Sequence, residues 1–335
     1  MDVRLSPEQR ALRDSAVQLV SRLGSDTVAG LDDQERAAKL DAAIAAAGWR
    51  ELRTATDDGS PWASAVEVAI VAEELAYGLA DAPFLGPTLA ADLRRRASAP
   101  PSGAETIALT TDLGALADGQ RHAVAVDAAG ASVALVLLPG AVLGTVDLGP
   151  AGVRADLTRA VADPTGAPTA LAAATPLPEA DLTSWTALGL ATTCADLVGT
   201  MRGALDLATG YAAERRQYGR PVGSFQAVQH LLADALVATE GARSIALHAA
   251  WAVDALPPDD ALAAAAQAKA WCARAARNVC ETSIQVHGGI GNTWECLAHV
   301  HLRRAFLSID VLGGVGPNLE RVLAHQGVGG GDGLR

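Results

Sequence analysis

Between Asp181 and Gly288 the chain carries apolar side chains at helical spacing with only two interruptions. In the first stretch Trp185, Leu188, Cys194, Val198, Met201, Leu205 and Ala208 share one helical face as far as Tyr211. After a Gly- and Pro-containing break, Ser224 is placed to cap a second helix through Val228, Leu231, Leu236, Ile245, Ala249 and Val253. Pro257 and Pro258 break the chain again. Asp259 and Asp260 then complement the start of a third helix, which ends at Gly288. A fourth, irregular helical stretch begins near Trp294. Long helices with short connections predict an antiparallel four-helix bundle over 181–326, followed by a flexible glycine-rich tail, 327–335.

The segment 1–104 also reads as helical. Ser6, Pro7 and Gln9 form a helix start, with cap, first-turn proline and a residue able to reach back to the cap. A second helix is expected through Ala42–Ala47, stopping at Gly48, and a third over Ala63–Tyr77, ending at Gly78. From Glu105 the period shortens. Thr106–Leu109, His122–Val126, Ser132–Leu138 and Val142–Leu148 are β-like runs separated by Gly, Asp and Pro turns, which predicts a small antiparallel β domain over 105–180. The expected class is α+β, mainly α.

Charge narrows the function. With 26 Lys and Arg against 38 Asp and Glu, the formal net charge is −12, and Lys39 and Lys269 are the only lysines. Such a surface argues against nucleic acid or an anionic membrane as partner. Arg94, Arg95 and Arg96 read as a solvated helix face. Cys194, Cys272, Cys280 and Cys296 have no CxxC spacing, which predicts buried free thiols in a reducing compartment. The polar N-terminus does not read as a secretory signal, and no run is apolar enough for a membrane span, so a cytoplasmic protein is expected.

Two segments carry chemistry. The first is Glu214-Arg215-Arg216-Gln217-Tyr218-Gly219-Arg220-Pro221-Val222-Gly223-Ser224-Phe225-Gln226, and the second is Gln285-Val286-His287-Gly288-Gly289-Ile290-Gly291. Arginine forks two hydrogen bonds onto a pyrophosphate, planar Tyr218 and Phe225 offer faces to an adenine, and Gly288 and Gly289 admit a ligand close to backbone. In this order and spacing the segments resemble the acyl-CoA dehydrogenase family, flavoproteins that oxidise acyl-CoA thioesters. The helical, β, helical order of the chain agrees with that resemblance over nearly its whole length.

The resemblance implies FAD. Arg215, Gln217, Tyr218, Gln285 and Gly289, with Gly288 beside them, would contact the adenine and pyrophosphate of a flavin whose ring lies in a neighbouring subunit. Phe225 is either a wall of that site or a packing residue. The family also carries a threonine-glutamate-proline and glycine-serine-aspartate loop and a tryptophan strand to hold the flavin ring. Ala108–Gly114 has neither loop motif, and no tryptophan lies between Trp62 and Trp185.

The catalytic base is missing as well. One family position falls at Leu312, followed by Gly313, and another near Gly189; neither can take a proton. Asp310 is the substitute carboxylate nearest the first. Glu295, Cys296, His299 and His301 do not share one helical face well enough to read as a metal site. The expectation is therefore the smaller subunit of a two-gene heterotetrameric acyl-CoA dehydrogenase of lipid metabolism, acting on bulky, possibly steroid-derived thioesters. FAD would be shared with a partner subunit that supplies the base and binds most of the acyl-CoA. A self-sufficient homomer using Asp310 and a flavin-free structural subunit stand as alternatives.

Overall fold

The computed structural model describes residues 4–119, 122–172 and 174–328. Four helices come first: α1 (Pro7–Leu23), α2 (Gln34–Ala46), α3 (Ala65–Tyr77) and α4 (Leu85–Arg96). The start of α1 is the expected capping box: Ser6 Oγ accepts from Gln9 N–H at 3.1 Å, and Gln9 Oε1 accepts from Ser6 N–H at 3.0 Å. Helix α2 begins two turns earlier than the apolar pattern indicated, because Asp33 caps it through Glu35 N–H and Arg36 N–H. Helix α4 carries the three consecutive arginines, and here the solvated-face expectation is corrected. Arg94 is 7% exposed and pairs with Glu105, while Arg95 and Arg96 converge with Arg53 on Asp92, which is 0% exposed. Burial works to raise the Asp92 carboxyl, but Arg96, Arg53 and Arg95 outweigh it and hold it below the usual range.

The middle of the chain forms β1 (Glu105–Thr110), β2 (Ala123–Val126), β3 (Val133–Leu138), β4 (Val142–Leu148), the short pair β5 (Gly152–Val153) and β6 (Ala160–Val161), and β7 (Pro164–Ala170). The main sheet has the order β2-β1-β3-β4-β7. It is not wholly antiparallel as expected. The β1–β2 hairpin folds outward, so β3 returns beside β1 in parallel register, with Glu105 opposite Val133 and Ile107 opposite Leu135.

Helix α5 (Glu179–Glu214) enters the bundle and ends in a hairpin of β8 (Arg216–Gln217) and β9 (Arg220–Pro221). Helices α6 (Gln226–Ala255), α7 (Pro258–His287), α8 (Ala298–Asp310) and α9 (Val315–His325) complete the chain. Ser224 does not cap α6: its hydroxyl bonds Pro221 O, and Phe225 takes the cap position without a side-chain bond. The irregular fourth helix is two helices, broken at 311–314. Gly327 and Val328 close α9 through N–H bonds to Ala324 O and Leu323 O, and the rest of the expected tail, 329–335, lies outside the described residues. A Cβ on Gly199 would sit 2.0 Å from Glu73 O and one on Gly203 2.5 Å from Tyr77 O, so this glycine pair lets α3 lie directly on α5. Among the described residues no helix is long and apolar enough to cross a membrane. Divisions at 104 and 180 remain our proposal for the domain limits.

Candidate functional site

Two tight reversals make α5 and α7 parallel, so their C-termini share one end of the bundle. Ser283 Oγ donates to Ala204 O at 2.8 Å, and further along the Tyr211 and His287 rings lie 4.5 Å apart. The two motifs that the sequence separates thus begin side by side. Past Tyr211 the chain leaves α5 at Arg215, whose N–H still reaches Tyr211 O at 2.8 Å. Tyr218 and Gly219 both have positive φ (52° and 77°), the geometry of a two-residue hairpin turn. Arg215, Arg216, Gln217, Tyr218 and Arg220 are carried into solvent, Tyr218 being 92% exposed. The side chains of Arg215, Arg216 and Gln217 form no hydrogen bond or ion pair with the described residues, whereas the arginines of the interior are paired. Phe225 is half-buried, with the Tyr218 ring edge-on at 6.3 Å and the Arg220 guanidinium over its face at 4.3 Å.

On the α7 side Gln285, Gly288 and Gly289 are exposed. Gly288 has φ 66° and ψ −141°, a combination open essentially to glycine alone. Gly289 is different: its φ is not positive, and a Cβ there would meet nothing within 4 Å in this chain. Packing among the described residues gives no reason for glycine at 289. His287 is buried, with Nδ1 2.7 Å from Ser283 O, so it orients the loop beneath Tyr211 and does not face solvent.

The two aligned base positions meet inside the protein. Leu312 is 1% exposed, and its Cδ1 lies 2.2 Å from where a Cβ on Gly189 would stand, with Leu89 also against that point. The Leu312 backbone has φ 60°; its N–H donates to Leu113 O and its carbonyl accepts from Arg321, both at 2.7 Å. The loop after β1 is therefore tied down on this leucine. Asp310 stands apart at the exposed end of α8, its carboxyl raised by partial burial against the pull of Lys269. No Phe, Tyr or Trp occurs from 105 to 180.

Sequence reasoning missed two polar devices at this place. Lys269, fully buried on α7, donates to Ser308 O, to Val311 O at 2.8 Å and to Thr193 Oγ1 at 3.1 Å, and so caps α8 just before Leu312. Burial pushes its ammonium down to about 8. Between sheet and bundle, Asp196 accepts from Arg304 at 2.7 Å and Ser308 at 2.6 Å, while Arg159 holds Asp156 at 2.9 Å. Except for Asp156 and Arg159, three residues apart, these partners lie far apart in sequence, and only the opposite charges in apolar runs hint at them. His301 packs on Gly203 and is driven down to about 3 by burial, hence neutral. Among the described residues no three His, Cys, Asp or Glu side chains are placed to hold a metal ion.

Residues 187–316 match the model of the acyl-CoA dehydrogenase C-terminal domain. The chain is 35% identical over 260 residues to acyl-CoA dehydrogenase IpdE2 of Mycobacterium tuberculosis, covering 73% of each. It is 45% identical over 130 residues to acyl-CoA dehydrogenase FadE34 of the same organism, 39% of this chain but 18% of that relative. Among solved structures, the ChsE4-ChsE5 complex from Mycobacterium tuberculosis contains a chain with a TM-score of 0.79 at 23% identity, covering 98% of this chain and 99% of that one. A variant of the Tcur3481-Tcur3483 steroid ACAD gives the same score and identity over 96% and 98%. At that identity both likenesses speak to the fold.

Proposed function

The chain belongs to the acyl-CoA dehydrogenase family, and from that premise we propose that it is the base-lacking subunit of a heteromeric FAD-dependent enzyme. One observation carries the reading. The two positions aligned with the family's carboxylate, Leu312 and Gly189, close on one another with Leu89 packed against them, while Arg215, Arg216 and Gln217 at the other motif are exposed and their side chains unpaired among the described residues. In this reading Arg215 and Gln217 hold the pyrophosphate, Tyr218 lies against the adenine with Phe225 as a wall behind that site, and Gln285, Gly288 and Gly289 form the backbone wall. The residues fit such a ligand: guanidinium donors uncommitted among the described residues follow Tyr211, whose ring lies on His287, and two residues past His287 stands a glycine whose Cβ would meet nothing within 4 Å. FAD supplies the two-electron acceptor for α,β-oxidation of an acyl-CoA thioester. The partner subunit supplies the base, the ring site and most of the acyl pocket.

The proposed assembly is a cytoplasmic heterotetramer with two copies of each chain. A bulky, steroid-like acyl group is the substrate class this reading favours, since one similar structure is that of a steroid ACAD.

The test is Arg215→Ala in the complex with its partner subunit. Losing a charge-assisted contact of roughly 1.5–3 kcal/mol lowers flavin affinity about ten- to a hundredfold. Arg215→Lys restores part of it, because an ammonium keeps charge but not the planar fork. Unchanged flavin content would leave the flavin-free structural subunit as the better account. A yellow, active homo-oligomer of this chain alone would favour the self-sufficient enzyme using Asp310.

A further inference from the structure

We infer that Arg220 is a stacking platform for the adenine of the flavin, the middle layer between Phe225 and the purine, and that it makes this site select FAD over FMN. The inference rests on the flavin-site reading above and adds to it a residue and a selectivity. Its basis is the hairpin geometry. Tyr218 and Gly219 turn the chain so that β9 brings Arg220 back over the start of α6, where its Cζ lies 4.3 Å from the centre of the Phe225 ring. At that distance the guanidinium covers one face of the ring, and Tyr218 meets Phe225 edge-on at 6.3 Å.

That face of Phe225 is therefore not open to a ligand. The guanidinium has two faces, and Arg220 is exposed, so a flat heterocycle approaching the hairpin meets the outer face of the arginine. Among the described residues nothing competes for the group: the Arg220 side chain makes no ion pair or hydrogen bond with them. A planar cation stacks on any purine, and a ring already held beneath it lowers the ordering cost of doing so. FMN ends at its phosphate and gains nothing here. A dinucleotide gains one stacked layer.

The experiment measures FAD and FMN affinity of the flavin-depleted complex by titration calorimetry, for wild type and for Arg220→Ala, Arg220→Gln and Arg220→Lys. Arg220→Ala should weaken FAD about tenfold, on the scale of one base-stacking contact, and leave FMN unchanged. Arg220→Gln keeps a planar amide and should recover more of the FAD affinity than Arg220→Lys, which keeps only the charge. Equal melting temperatures certify the fold, as expected for an exposed hairpin residue. If Arg220→Lys rescues and Arg220→Gln does not, the residue acts as a point charge and the stacking role is overturned. If Arg220→Ala leaves the FAD-to-FMN ratio unchanged while Arg215→Ala weakens FAD, this inference fails and the site reading stands. If neither substitution changes FAD affinity, the site reading itself fails.

Discussion

A double-mutant cycle on Gly189 and Leu312 tests whether the base position is filled as described. In the interior of α5, Gly189→Ala should gain about 1 kcal/mol of helix propensity. The new methyl, however, would lie 2.2 Å from Leu312 Cδ1, an overpacking that costs about 1–3 kcal/mol. The single substitution should therefore come out neutral to about 2 kcal/mol destabilising. Leu312→Ala should lose about 2–5 kcal/mol, because the leucine is almost wholly buried and leaves a cavity. In the double variant the methyl at 189 enters the vacated space without a clash. It should be more stable than the sum of the singles by about 1–3 kcal/mol, within the range for side chains in contact. Urea unfolding with linear extrapolation reads each value, and constant m-values certify the comparison. Two results refute the reasoning: Gly189→Ala alone stabilising by about 1 kcal/mol, or a coupling below about 0.5 kcal/mol. Either would mean that Leu312 does not sit on Gly189.

Gly288→Ala should destabilise by about 1–3 kcal/mol from its backbone torsions, whereas Gly289→Ala should change stability by less than about 0.5 kcal/mol yet weaken flavin binding in the complex; paired melting curves and flavin titrations check both. Asp92→Ala removes the buried common partner of Arg53, which is itself buried, and of half-buried Arg95 and Arg96, and should cost about 3–5 kcal/mol in urea unfolding. For Lys269, the folded-state value of about 8 lies below the ordinary 10.5, so between these values the unfolded chain binds more protons and stability rises with pH. Stability measured from pH 7.5 to 10.5 should show this rise, by roughly 3 kcal/mol at most, and Lys269→Met should remove it.

Helix ends specified within four residues were legible. The Ser6 box, the Gly78 stop and the Pro257-Pro258 break needed only local chemistry. Where a partner came from elsewhere, the sequence misled. Arg94, Arg95 and Arg96 look solvated on a lone helix, yet Arg94 is buried and Arg95 and Arg96 are half-buried because Glu105 and Asp92 supply counter-charges inside the packed domain. Strand β7 was hidden by its prolines and glycine, tolerable on an edge strand that pairs on one side only. Ser224 had the right chemistry for a cap, but the hairpin turned its hydroxyl back to Pro221.

The site divides along the same line. Its motif residues could be named because each end of the grip is continuous in sequence, and parallel α5 and α7 bring those ends together through Tyr211 and His287. The filled half was visible only as two unrelated absences, a leucine and a glycine where carboxylates are expected. Packing turns them into one feature, because a side chain at 189 is excluded by the side chain at 312. Restoring a carboxylate at Leu312 would push a charged group into the packed space that the leucine side chain now shares with Leu89 and Gly189. A base at 312 would therefore return at a cost in stability, from the lost leucine packing and the burial of its charge. Under the proposed reading, that cost is what makes reliance on a partner's carboxylate the expected state of this chain.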